Sequence, residues 1–126
     1  IAVLPFTEYS SGTADELLAA RLTDGVTSEL ARVRTLGVVS YTSAQQFVGT
    51  RRPLREIAQA LNAELILEAS VSTEGEGVRV SARLVDATID RKVWVGDIVG
   101  RLSDPRDLER RIAAAVGPAA EQTRNR

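Results

Sequence analysis

Residues 63–86 read AELILEASVSTEGEGVRVSARLVD, the pattern of a β-hairpin. Leu65, Leu67, Ala69 and Val71 alternate with Ile66, Glu68, Ser70 and Ser72. Beyond the turn, Val78, Val80, Ala82 and Leu84 alternate with Arg79, Ser81, Arg83 and Val85. A period of two over this length belongs to a half-buried strand. Glu74-Gly75-Glu76-Gly77 joins the arms, and its glycines supply the backbone freedom of a tight reversal. Pairing Thr73 with Val78 sets Val71 opposite Val80, Ala69 opposite Ala82 and Leu67 opposite Leu84. One face is then apolar throughout, while the other carries Glu68, Arg79 and Arg83. A slip of one residue would turn the apolar set to water, so the register is tightly specified.

The rest of the chain must cover that apolar face. Ile1 to Phe6 reads as a short buried strand with Pro5 near its end, and Thr7 to Thr13 as a polar loop turning at Ser11-Gly12. Ala14 to Arg34 has helical period, with Leu18, Leu22, Val26, Leu30 and Val33 on one stripe and Thr13 with Glu16 as a capping box. Gly25 interrupts the good helix formers. A close helix–sheet contact or a junction between helical pieces explains it better than a ligand contact. Leu36 to Ser40 reads as a second strand, and Thr42 or Ser43 as the cap of a helical turn through Phe47. Pro53 starts a helix over Leu54 to Leu61, with Leu54, Ile57, Ala58 and Leu61 on one stripe, and Asn62 closes it.

After the hairpin, 87–90 is a turn and Arg91 to Gly100 a further strand. Trp94, Gly96 and Ile98 alternate with Val93, Val95, Asp97 and Val99, so both faces look apolar, as in a central strand or an oligomer surface. Ser103 or Asp104 caps a last helix opening at Pro105, with Leu108, Ile112, Ala115, Val116 and Ala119 as its stripe. Gly117-Pro118 should end or kink it, leaving 121–126 as a tail or the start of a linker. The order is β-α-β-α-β-β-β-α. It predicts an α/β (α+β) domain over 1–120: one mixed sheet of about five strands, with helices mainly on one face.

Composition narrows the chemistry. The chain has neither His nor Cys, which removes the usual general base and any thiolate nucleophile. A Ser–Lys dyad would have to use Lys92, the single lysine, in a solvated turn region. The carboxylate pairs Asp24 with Glu29 and Glu68 with Asp86 stand beside plentiful arginines and read as surface ion pairs rather than an acid–base site. No spaced acidic loop suggests a metal, and Gly75-Glu76-Gly77 precedes a strand and carries acids, which is wrong for a phosphate cradle. No cofactor is expected. The net charge of −1 and 4% aromatic content give nucleic acid little to hold, despite Arg51-Arg52-Arg55 and Arg79 with Arg83. No apolar run approaches a membrane span, so direct membrane insertion of this fragment is not expected.

Several segments, in order, resemble the TolB-like amino-terminal domain family of bacterial multidomain proteins. They are Ile1 to Phe6, Leu22 to Leu30 (LTDGVTSEL), Thr42-Ser43, Ile57 to Leu61, Leu65 to Val71, Val78 to Ala87, and Val93-Trp94. The chain departs from that pattern at Ala69, Ser72, Thr73, Ile89-Asp90 and Val95-Gly96-Asp97. The resemblance implies a mixed sheet with flanking helices, similar to TolB's amino-terminal domain and the anticodon-binding fold. It also implies a place beside winged-helix regulators, cyclases, kinases or tetratricopeptide arrays in a longer signalling protein, and it brings no catalytic motif.

The expected function is a non-catalytic sensor or protein-interaction domain, with neighbouring domains or a signalling protein as partner and a homodimer as an option. Its candidate surface is Arg79, Arg83, Val93, Val95 and Val99, the valines projecting opposite to a Trp94 that packs inward. The alternative is a small-molecule module contacting ligand through Asp24, Thr42 and Ser43. RNA binding through Arg79 and Arg83 is a third and weaker reading. The chain opens directly on a strand, which reads as a domain excised from a longer protein, with an extracytoplasmic compartment favoured over the cytoplasm.

Overall fold

The computed structural model describes residues 1–9 and 13–124, without the side chains of 13–15. The expected Ser11-Gly12 turn and the Thr13 cap lie outside what is described. The elements are β1 (Ala2–Val3), β2 (Thr7–Glu8), α1 (Thr13–Ala31), α2 (Tyr41–Gln45), α3 (Leu54–Leu61), β3 (Leu65–Glu74), β4 (Gly77–Asp86), β5 (Arg91–Arg101) and α4 (Pro105–Arg124). They build one mixed five-stranded sheet in the order β1-β3-β4-β5, with β2 also on β3.

The hairpin has the register its alternation dictates: Thr73 opposes Val78, Val71 opposes Val80, Ala69 opposes Ala82 and Leu67 opposes Leu84. Gly75 takes φ +57 at the first central position of the two-residue turn, where an L side chain would be strained. Leu65, Leu67, Ala69, Val71, Val78, Val80, Ala82 and Leu84 are all buried in the main core with the α1 residues Leu18, Leu22, Val26 and Leu30 and the α4 residues Leu108, Ile112, Val116 and Ala120. The two long helices thus cover one face. A smaller cluster on the opposite face joins Ala2, Leu4 and Ile66 to Phe47, Ile57 and Ala58, so α2 and α3 cover only the end of that face near β1.

Four local expectations are corrected. The first strand is split: Ala2 and Val3 pair with Ile66 and Leu67, but Thr7 and Glu8 pair with Ser70 and Val71. Four residues on one strand advance against three on β3, and Pro5, which has no N–H for the ladder, sits in the offset. Leu36 to Ser40 is not a strand; it lies along β1 through bonds from the Val39 N–H to the Ile1 carbonyl (2.9 Å) and from the Ile1 amino group to the Gly37 carbonyl (2.8 Å). Ser40, not Thr42 or Ser43, caps α2, accepting from the Ser43 N–H at 3.2 Å. Finally, α4 runs through Gly117-Pro118 to Arg124. Pro118 denies a donor to the carbonyl of Ala114, but both residues are exposed, so water can serve that carbonyl. Glu121 then accepts from the Thr35 hydroxyl, and Arg124 donates to the Thr35 carbonyl.

Gly25 has a packing reason, though not the expected one. A Cβ there would collide with the Glu109 carboxyl group, so the contact is between α1 and α4 rather than helix and sheet. Glu109 is only 8% exposed and meets Arg21 at 3.5 Å. Two residues earlier, Thr23 is buried and does two things: its hydroxyl donates to the Ala19 carbonyl (2.7 Å) and accepts from the Phe6 N–H (2.9 Å). It therefore ties the segment between β1 and β2 to α1.

Two stability outcomes follow, each read by denaturant unfolding. Thr23→Val strands the Phe6 N–H and costs about 1–3 kcal/mol, whereas Thr23→Ser keeps most of that. Gly25→Ala costs about 1–3 kcal/mol by overpacking. In a Glu109→Ala background the same change becomes neutral or stabilises by up to about 1 kcal/mol, the helix propensity difference. If Gly25→Ala costs the same in both backgrounds, the Gly25–Glu109 contact is not what selects glycine.

Candidate functional site

The face of β4 and β5 opposite α1 and α4 carries a continuous set of side chains fixed by strand register. Arg83 lies between Glu68 and Val95, Ser81 between Ser70 and Asp97, and Arg79 between Ser72 and Val99. Arg83 pairs with Glu68 at 3.4 Å, both about 30% exposed, and Arg79 pairs with Asp97 at 3.4 Å. The arginines are thus matched within the sheet, which leaves the surface low in net charge, with serines at its middle. Val95 and Val99 are 65% and 52% exposed, on the same side as Asp97.

Val93 departs from its expected place. The ladder shifts between Leu84 and Val85, whose partners are Trp94 and Lys92, so Val93 is the extra residue of a bulge. Val93 and Trp94 both pack, partly buried, against the main core. Val93 therefore leaves the exposed set, and Trp94 packs inward as expected. Strict alternation cannot register a bulge, which is why the sequence placed Val93 with Val95.

β5 is also an edge strand. Taking Glu74 and Gly77 around the turn as a hydrogen-bonded pair, antiparallel alternation aims the backbone groups of Val95, Asp97 and Val99 away from β4. The Val99 carbonyl is met there by Arg111 of α4 at 2.8 Å, and Arg111 is held in turn by Asp107 at 3.2 Å. An edge with outward backbone groups and exposed valines can accept a partner strand. Arg111 guards one end of it.

The other candidates lie on the helices. Asp24 is exposed on α1, and Thr42 and Ser43 are exposed on α2. None of the three lines an open cleft of about 750 Å³ at the end of the sheet, where α3 meets the hairpin base and the end of α4. Its walls include Arg55, Gln59, Asn62, Glu64, Thr88 and Arg124 over Ala58, Ala63 and Ala87. The Ile1 amino group at its rim is held below its usual value by burial and then by Arg124, with Glu64 opposing. Sequence reading missed this cleft because its walls come from five separate segments. The one local signal was Arg55, Gln59 and Asn62 at spacings of four and three on α3.

Glu68 and Asp86, paired in the sequence reading, are parted: Glu68 faces Arg83, and Asp86 accepts from the Thr88 N–H (3.0 Å) and hydroxyl (2.6 Å). Among the described residues no three His, Cys, Asp or Glu side chains group as metal ligands, and no helix is long and apolar enough to cross a membrane.

Comparison with known proteins places the fold. The chain superposes with a TM-score of 0.68 on Lipoprotein GNA1162 from Neisseria meningitidis, at 18% identity and 94% coverage of both chains. It superposes with a TM-score of 0.66 on TolB from Acinetobacter baumannii, at 14% identity, covering 94% of this chain and 27% of that one. In sequence it is 28% identical over 94 residues to a Rhizobium meliloti (strain 1021) protein named "Putative adenylate cyclase 3"; the match spans 75% of this chain and 16% of that protein. No family model matches. The fold is TolB-like.

Because Val95 and Val99 are mostly exposed and belong to neither core cluster, Val95→Ser with Val99→Ser should change unfolding free energy by less than about 0.5 kcal/mol per site. Leu84→Ala on the opposite face should cost about 2–5 kcal/mol. A large loss from the valine pair would show that this face is part of the fold's own core.

Proposed function

From a fold shared with TolB and a stretch of sequence shared with a much longer protein, we propose that this chain is a non-catalytic protein-interaction module within a larger bacterial signalling or regulatory protein. We place it, as a proposal, in the TolB-like amino-terminal domain family. The observation that carries the reading is the asymmetry of the sheet. Two long helices seal one face, while Val95, Val99, Arg79, Asp97 and Arg83 stand uncovered on the other, beside the free edge of β5. Burying two valines that already stand in water adds hydrophobic gain without unfolding anything. The arginines, already matched to carboxylates, keep further N–H donors for hydrogen bonds to a neutral partner surface.

The partner is a neighbouring domain of the parent protein or a protein that acts with it. The match to a small fraction of a cyclase-named protein supports a domain that works beside others. The lipoprotein among similar structures supports an extracytoplasmic site of action. The Arg79–Asp97 and Arg83–Glu68 pairs favour protein over RNA, because each arginine already spends its charge.

The test is isothermal titration of this chain against the remaining part of its parent protein. Binding should be saturable for the wild type and weakened at least about tenfold, roughly 1.4 kcal/mol, by Val95→Glu with Val99→Glu at unchanged thermal stability. Undiminished binding by that variant, or silence with the wild type, sinks the reading.

A further inference from the structure

We infer that the cleft between α3, the hairpin base and the end of α4 is a binding site for a small zwitterion of the free amino-acid class. Its volume of about 750 Å³ lies within the range of small-molecule sites. The floor is built from alanines, and the polar groups stand around it, the usual division of labour in a ligand pocket. This reading goes beyond the sheet-face proposal and does not depend on it.

The charges select the ligand class. Arg55 and Arg124 bring two guanidinium groups and Glu64 one carboxylate, while the Ile1 amino group at the rim has its charge disfavoured by burial and then by Arg124. Among the described residues no ion pair engages any of the three, and Arg124 also donates to the Thr35 carbonyl. A carboxylate suits the arginine fork, and an ammonium suits Glu64. Multiply charged phosphate is disfavoured by Glu64 and by the carboxyl ends of α3 and α4, both of which end at the cleft and present the negative pole of a helix. Gln59 and Asn62, one turn apart on α3, offer neutral donors and acceptors to the body of the ligand. Asn62 is held in place by its own backbone: at φ +52 it caps α3, its N–H meeting the Ala58 and Gln59 carbonyls.

The test is an NMR titration of this chain with glycine, L-alanine and L-glutamine. Acetate, methylamine and inorganic phosphate serve as single-charge and oxyanion controls. Amino acids should move the amide resonances of Arg55, Gln59, Asn62 and Thr88 saturably, at least about tenfold more tightly than any control. Arg55→Gln should weaken that binding about tenfold or more, and Glu64→Gln should erase the preference for L-alanine over acetate. Both side chains lie on the rim, and an unchanged thermal midpoint shows that each variant is folded. Absence of saturable shifts, equal affinity for acetate or phosphate, or full binding by Arg55→Gln overturns the assignment. None of these results bears on titration at the sheet face, so the two proposals fail separately.

Discussion

The pairing of Leu67 with Leu84 and Val71 with Val80 is the constraint on which the fold rests. It places one uninterrupted apolar face on the hairpin, and α1 and α4 exist as ordered helices because they can bury their stripes against it. Leu22, Val26, Leu30, Leu108, Ile112 and Val116 all vanish from water in the same cluster. Burial of each such side chain contributes about 1.5–3 kcal/mol, so the layer loses its rationale if the register moves by one. The same register fixes what is left over. Every residue between the core positions must point the other way, and that is how Arg79, Arg83, Asp97, Val95 and Val99 come to share a surface.

The helical layer shows a second kind of constraint, between neighbours rather than with the sheet. α1 and α4 pack side by side, with Gly25 beside Glu109 and Gly117 near Val33. Glu109 is a carboxylate almost out of water, answered by a mostly exposed Arg21. Such a group is costly unless paired, and it gives this interface a specific alignment that apolar contacts alone would leave loose. Thr23 adds a polar tie to the strands, satisfying a buried N–H where β1 gives way to β2.

Much of this was legible from residue types. The hairpin register, the α1 stripe, the Asn62 stop and the Asp104 cap of α4, which accepts from the Asp107 N–H at 3.2 Å, follow from local rules that act within a few residues. What was not legible depended on contacts between distant segments. Leu36 to Ser40 has strand-forming residues, yet it finds only β1, itself two residues long, so no ladder develops. Gly117-Pro118 has the composition of a stop signal, but packing of Val116 and Ala120 against the core carries the helix past it. Val93 was misplaced because a bulge changes parity without a mark in the sequence. The cleft bounded by Arg55, Glu64 and Arg124 needs five separate stretches of chain to meet, and no local pattern announces that.

The functional account rests on a surface and not on bond-making groups, and on the claim that this surface is covered when the protein works. Amide hydrogen exchange of the intact parent protein, compared with the isolated chain, addresses that claim most directly. The outward N–H groups of Val95, Asp97 and Val99 have no strand beside them in the chain alone and should exchange fast. In the intact protein or its working complex the account predicts marked slowing at these three, with α1 and α4 unchanged. Equal exchange at β5 in both, with new protection on the helical face instead, would contradict it.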